Sequence, residues 1–249
     1  VEKYYPAKRA FRMVTSPVNS TTSIYDNWQN GGNNVTGIGT HITGSASGAN
    51  GFDQTQTGNP SLFYFDNGWQ AIANTNSTNL TAGTPYRLMV RGDRDPDLLI
   101  DNDATPNPTT LIATGELEVD VVTKEFPSAT AGSNTFAFIA NPYQSRIDVS
   151  EVLAANSNTD SNQLWVWDPM INTRGAFVTI DELSGNGDTT PSSTATKFIE
   201  PGQAFFIQLS GSDSEISFTE SVKDVTTTLP NSAPFSYNQM TLLFELQNE

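Results

Sequence analysis

Five aspartates crowd the stretch "RGDRDPDLLIDND": Asp93, Asp95 and Asp97 at every second position, then Asp101 and Asp103. Carboxylates spaced this way in an irregular loop can converge on one calcium ion, which takes about six to eight oxygen ligands. The loop does not fit an EF-hand. It lacks the glycine at the sixth position, Pro96 restricts its backbone, and Arg94 sets a cation among the acids. The competing reading is a solvated acidic loop with local ion pairs. The corresponding stretch of the second half, "GSDSEISF", holds only Asp213 and Glu215, so the cluster is no shared structural requirement.

A second chemistry is open to the tryptophans. A flat aromatic ring matches the C–H face of a pyranose, so an exposed indole can bind carbohydrate. Trp28, in "YDNWQNGG", and Trp69, after "DNG", stand beside turns and are the candidate ligand-binding residues. Trp165 and Trp167 alternate within "QLWVWDP" and read as core. A packed Trp is the plainer reading for all four.

No catalytic set emerges. His41 is the sole histidine and cysteine is absent, so any Ser-His arrangement would rest on one residue, with no G-x-S-x-G elbow beside it. Zinc-cysteine sites and thiolate chemistry are excluded. Nothing marks a carboxylate pair for glycoside hydrolysis, and no phosphate loop or dinucleotide fingerprint appears. The expectation is a chain that is not an enzyme. The tripeptide Arg91-Gly92-Asp93 reads as coincidence. N-x-S/T triplets occur at Asn19, Asn34, Asn76 and Asn79, and "DTT" at 188–190 fits a short O-glycosylation pattern; such tripeptides are common and weak evidence alone.

These residues must be positioned by β-structure. Short runs rich in Val, Thr, Phe, Tyr and Ile alternate with clusters of Gly, Asn, Ser, Thr and Pro. Only 147–156, "IDVSEVLAAN", has helical period, with Asp148 or Ser150 as cap. The predicted fold is all-β, antiparallel sandwiches with at most one short helix near 148–155. The chain carries 27 acidic against 12 basic residues, a net charge of −15, which repels nucleic-acid backbones and anionic lipid. No apolar run is long enough for a membrane-spanning helix.

The sequence also repeats itself. Placing Gly83 on Gly202 sets Tyr86, Leu88 and Val90 on Phe205, Ile207 and Leu209, each trio on one face of a strand. Upstream, "SLFYFDN" (61–67) aligns with "QLWVWDP" (163–169), and "RMVTSPV" (12–18) with "AFIANPY" (137–143). We therefore expect two tandem copies of one β-unit, 1–125 and 126–229. A strand-like segment, 230–249, follows and leads into a missing next domain. The copies could be separate lobes or share one sheet, and the chain reads as a fragment of a longer protein.

Taken together, "PAKRAFRMVTSPV", "GTHITG", "GFDQTQTGNPSLFYFD", "AGTPYRLMVRGDR" and "FIANPY" with "EPGQAFFIQ" resemble a β-rich region of large secreted and cell-surface proteins of Bacteroidetes, exported by type IX secretion. The resemblance covers about residues 3 to 249. It implies an extracellular, adhesin-like or structural module at the bacterial cell surface, with surface glycans or neighbouring copies or domains of the same protein as partners. It carries over no catalytic residues. A carbohydrate-binding β-sandwich stabilised by calcium is the alternative expectation. Nucleic-acid binding and direct membrane insertion are not expected.

Overall fold

The structure is a computed structural model, and it describes residues 1–126, 135–181, 183, 185, 187–210 and 215–224. The expected strand-like segment 230–249 lies outside the described residues.

The chain is all-β, built from several small, mostly antiparallel sheets. Two sheets organise it. In the first, strands Ala10–Val14, Tyr86–Val90, Leu62–Phe65 and Trp69–Ala71 lie side by side in that order. In the second the order is Phe136–Ala140, Ala204–Leu209, Thr159–Asp168, Ala176–Asp181, then Asp188–Thr190. They are separate sheets, and their pairing registers run in parallel. Arg12 faces Leu88 and Val14 faces Tyr86; Ala137 faces Ile207 and Ile139 faces Phe205. Leu62 opposes Leu88 as Leu164 opposes Ile207, and Phe65 opposes Trp69 as Trp167 opposes Phe177.

Alternation explains the packing, since successive side chains of a strand leave opposite faces. One face of each sheet fills its own core. Val14, Leu62, Tyr86, Leu88 and Val90 join Ile24, Trp28, Ile42, Leu80 and Leu111. Leu164, Val166, Val178, Ile180, Phe205, Ile207 and Leu209 pack with Tyr143, Val152, Leu153 and Phe218. Strand Val122–Glu125 pairs with Glu215–Phe218, and Val122 lies in the second core. By packing, then, this strand goes with the second half although it precedes residue 126.

The opposite faces meet each other. Met13, Phe65 and Trp69 of the first sheet pack against Phe138, Ala140, Ala204, Phe206, Trp165 and Trp167 of the second. Phe206 is the hub: it stacks on Phe138 with centroids 4.6 Å apart and takes ring edges from Phe65 at 5.1 Å and Trp69 at 5.9 Å. Trp165 and Trp167, expected in the core, are half-buried in and beside this seam instead. Each stands next to a buried Leu164 or Val166 in a run that is apolar on both faces, so alternation alone could not assign the sides.

Turns lock the halves reciprocally. Gly83 and Gly202 both have φ of +72°, a backbone region that favours glycine. A Cβ on Gly83 would lie 2.9 Å from Pro142 Cβ in the other half, and one on Gly202 would meet Lys3 and the Thr15 carbonyl. Thr15 N donates to Gly202 O at 3.2 Å, and Lys3 Nζ donates to Pro201 O.

Two short helices are present among the described residues, one more than expected. Val149–Ala154 is capped by Asp148, whose carboxylate accepts from Ser150 N. Ile24–Asn27 is held by a capping box in which Ser23 and Asp26 satisfy each other's backbone. Four residues are too few to show a helical period, so this helix left no periodic trace in the sequence.

Truncating the hub tests the seam. Phe206→Ala should cost about 3–5 kcal/mol in urea unfolding followed by tryptophan fluorescence. Tyr64→Ala, at a 40 % exposed ring, should stay within about 0.5 kcal/mol. Gly83→Ala should lose at least about 1 kcal/mol, because the new Cβ meets both a left-handed backbone and Pro142.

Candidate functional site

A polar-lined concave surface lies on the first half, formed by residues outside the seam. It is an open pocket of about 430 Å³ whose walls include Tyr25, Asn50, Gln54 and Asn76, with Asp53 and Arg94 also lining it. The helix Ile24–Asn27 presents Tyr25. Tyr25 N donates to Thr75 O at 3.0 Å, which ties that helix to the 74–78 loop. Asn74 orders the loop by accepting from the backbone N–H groups of Asn76 and Ser77, at 2.8 and 3.0 Å. Thr75 N donates to Asn50 O at 2.9 Å. Gly51, at φ +80°, permits this close approach, because a Cβ there would lie 2.5 Å from the Asn76 side-chain oxygen.

Beneath the pocket lies an ion pair. Arg94, only 3 % exposed, grips Asp53 with both terminal nitrogens, at 2.8 and 2.7 Å. Asp53 also accepts from Gln29 Nε2 and from the Ile42 backbone N–H, each at 2.9 Å. His41 Nδ1 approaches the same carboxylate at 3.4 Å, while His41 Nε2 lies 3.1 and 3.0 Å from the carbonyls of Arg94 and Pro96. Burial alone would raise the Asp53 pKa. The neighbouring His41 ring and the hydrogen bonds and charge of Arg94 outweigh it and hold the carboxyl down at about 2. The histidine thus braces the loop that carries Arg94.

The expected site residues are placed as follows. Trp28 is 3 % exposed, in the first core, with its ring edge-on to Tyr86 at 5.8 Å. It has no ring face to offer a sugar, a correction to its candidacy. Trp69 is half-buried, packed edge-on against Phe65 and Phe138 at 5.3 Å each. Its ring is committed to the seam, where the Arg87 guanidinium lies 5.1 Å from it and 3.8 Å from Phe11.

The five aspartates diverge. Asp93 is buried and accepts from Gly37 N, Asp95 N and Asn107 Nδ2. Asp95 accepts from Thr36, Asp97 from Leu99 N, and Asp101 from Asp103 N, while Asp103 pairs with Arg9. Among the described residues no group of three or more His, Cys, Asp or Glu side chains stands ready to hold a metal ion. Arg91 donates to Asn102, so Arg91-Gly92-Asp93 is folded inward rather than displayed.

The structure brings together Asp53 and Arg94, a pairing the sequence did not signal. They are 41 residues apart, and no local motif links them. The one visible sign was Arg94 itself, a cation inside an acidic loop. Tyr25, Gln54 and Asn76 also went unnoticed, since isolated polar residues in turn-rich sequence carry no spacing rule.

Comparison with family models, curated proteins and solved structures finds no match to this chain.

The buried pair makes a pH prediction. The folded-state pKa of Asp53 lies below its ordinary 3.8, so the stabilisation is full above about pH 4 and is lost as pH falls through about 2. The contribution is about 2 kcal/mol, and urea midpoints measured between pH 6 and 2 should show it. Asp53→Asn should flatten that part of the profile and lower stability at neutral pH, since it leaves Arg94 buried without its counter-charge.

Proposed function

We propose that the chain is a non-catalytic structural or adhesive module of a large bacterial cell-surface or secreted protein. The observation that carries this reading is the aromatic seam. Two β-cores joined through Phe206, Trp69 and Phe138, with glycine turns pressed reciprocally onto the opposite half, form a unit suited to transmit position along a longer chain. The parallel strand orders and registers support reading the halves as tandem copies of one unit. The strongly acidic charge supports a solvated, non-nucleic-acid setting. On this reading the module sits outside the cell, with surface glycans or neighbouring copies or domains of the same protein as partners.

A second reading, a carbohydrate-binding β-sandwich module, is favoured by the polar pocket beside Tyr25. The calcium-stabilised form of it draws no support from the 93–103 loop, whose carboxylates are taken up by separate partners.

Antibody labelling of intact cells should detect the module on the surface; signal only after lysis would overturn the placement. Melting the purified chain in calcium and in EDTA should give the same midpoint if no ion is held. A rise of several degrees with calcium would restore the metal proposal.

A further inference from the structure

The pocket beside Tyr25 has a chemistry specific enough to name its ligand class, and the inference rests on the second reading above. Among the described residues the side chains of Tyr25, Gln54 and Asn76 line the cavity and form no hydrogen bond of their own. Gln54 and Asn76 are exposed, and each primary amide can donate and accept at once. Asn50 offers a third amide, of which one N–H is directed to Ala73 O at 3.4 Å. Tyr25 adds an aromatic ring among the polar walls, beside the largely buried Phe52. The charges below are already balanced, because the Arg94 fork closes on both oxygens of Asp53. Arg94 Nε and Gln29 Oε1 remain buried without partners at the same place, so the hydrogen-bonding capacity under the pocket is not exhausted.

A free anion would find no uncompensated cation here and would approach a chain of net charge −15. A free cation would find the Asp53 carboxylate occupied. A neutral ligand with adjacent hydroxyls satisfies amides that need both donors and acceptors, and its C–H face can lie on a tyrosine ring. The volume of about 430 Å³ lies in the range of small-molecule sites. We infer that this pocket binds the end of an uncharged glycan, with Gln54, Asn76 and Asn50 reading hydroxyls, Tyr25 supplying the apolar face, and the Asp53–Arg94 pair positioning the floor.

The test is a glycan array followed by calorimetric titration with neutral methyl glycosides and disaccharides, and with glucuronic acid and glucosamine as charged comparators. The wild-type chain should bind one or more neutral sugars and neither comparator. Gln54→Ala and Asn76→Ala lie at exposed side chains, so they should keep the wild-type melting temperature while weakening binding at least about tenfold each. Tyr25→Ala should weaken it as much. Neutral binding untouched by all three variants but lost in Trp165→Ala would overturn the pocket and move the site to the aromatic seam, leaving the carbohydrate reading intact. Binding confined to the charged comparators would overturn the ligand class. A blank across the array would overturn both the pocket and the carbohydrate reading, with the structural module still standing.

Discussion

Contact between two sheets through faces turned away from their own cores is the constraint on which this structure depends. An antiparallel sheet commonly leaves one face to water. Here both faces of the second sheet carry large apolar groups, Leu164, Val166 and Val178 on one side and Trp165, Trp167, Phe177 and Phe206 on the other. The second set would form an exposed aromatic patch unless something covered it. The first sheet does so in part with Met13, Phe65 and Trp69, and Phe177 remains 39 % exposed. Edge-to-face geometry recurs in the seam, as the quadrupoles of neighbouring rings prefer.

That arrangement leaves the loops of the first half free to differ from those of the second. The Gly- and Asn-rich stretch 30–51 is not loose filler. It holds left-handed turns at Asn30 and Asn50, a short parallel pairing of Thr43–Ser45 with Asp53–Gln54, and the backbone donor that Ile42 gives to Asp53. Replacing a whole buried ion pair by well-packed apolar residues is often neutral for stability, but breaking it strands a charge, so the pair fixes geometry strongly. Asp53 and Arg94 therefore act as a clasp between the 41–53 loop and the loop after strand Tyr86–Val90. The polar pocket is the outer surface of that clasp.

Much of the fold was legible in the sequence. Alternating runs such as "YRLMV" and "AFFIQL" identify strands locally, because a period of two is a property of the strand itself. The aligned trios Tyr86, Leu88, Val90 and Phe205, Ile207, Leu209 do face the two cores, and Asp148 does cap its helix. Less of the site was legible. The acidic spacing that pointed to calcium and the turn-side tryptophans that pointed to sugar both rested on neighbours in sequence, whereas Asp93 and Trp28 were claimed by partners far along the chain.

Local pattern thus determined which segments are strands, where they turn and which of their residues share a face, since these follow from backbone geometry and turn chemistry. Tertiary structure decided which face of "QLWVWDP" meets a core and which meets the other sheet, as both faces are apolar. It also decided that Arg94 closes on Asp53 rather than on the acids beside it. A charge buried from water must be compensated by whatever the fold brings within hydrogen-bond reach, and sequence distance has no part in that choice.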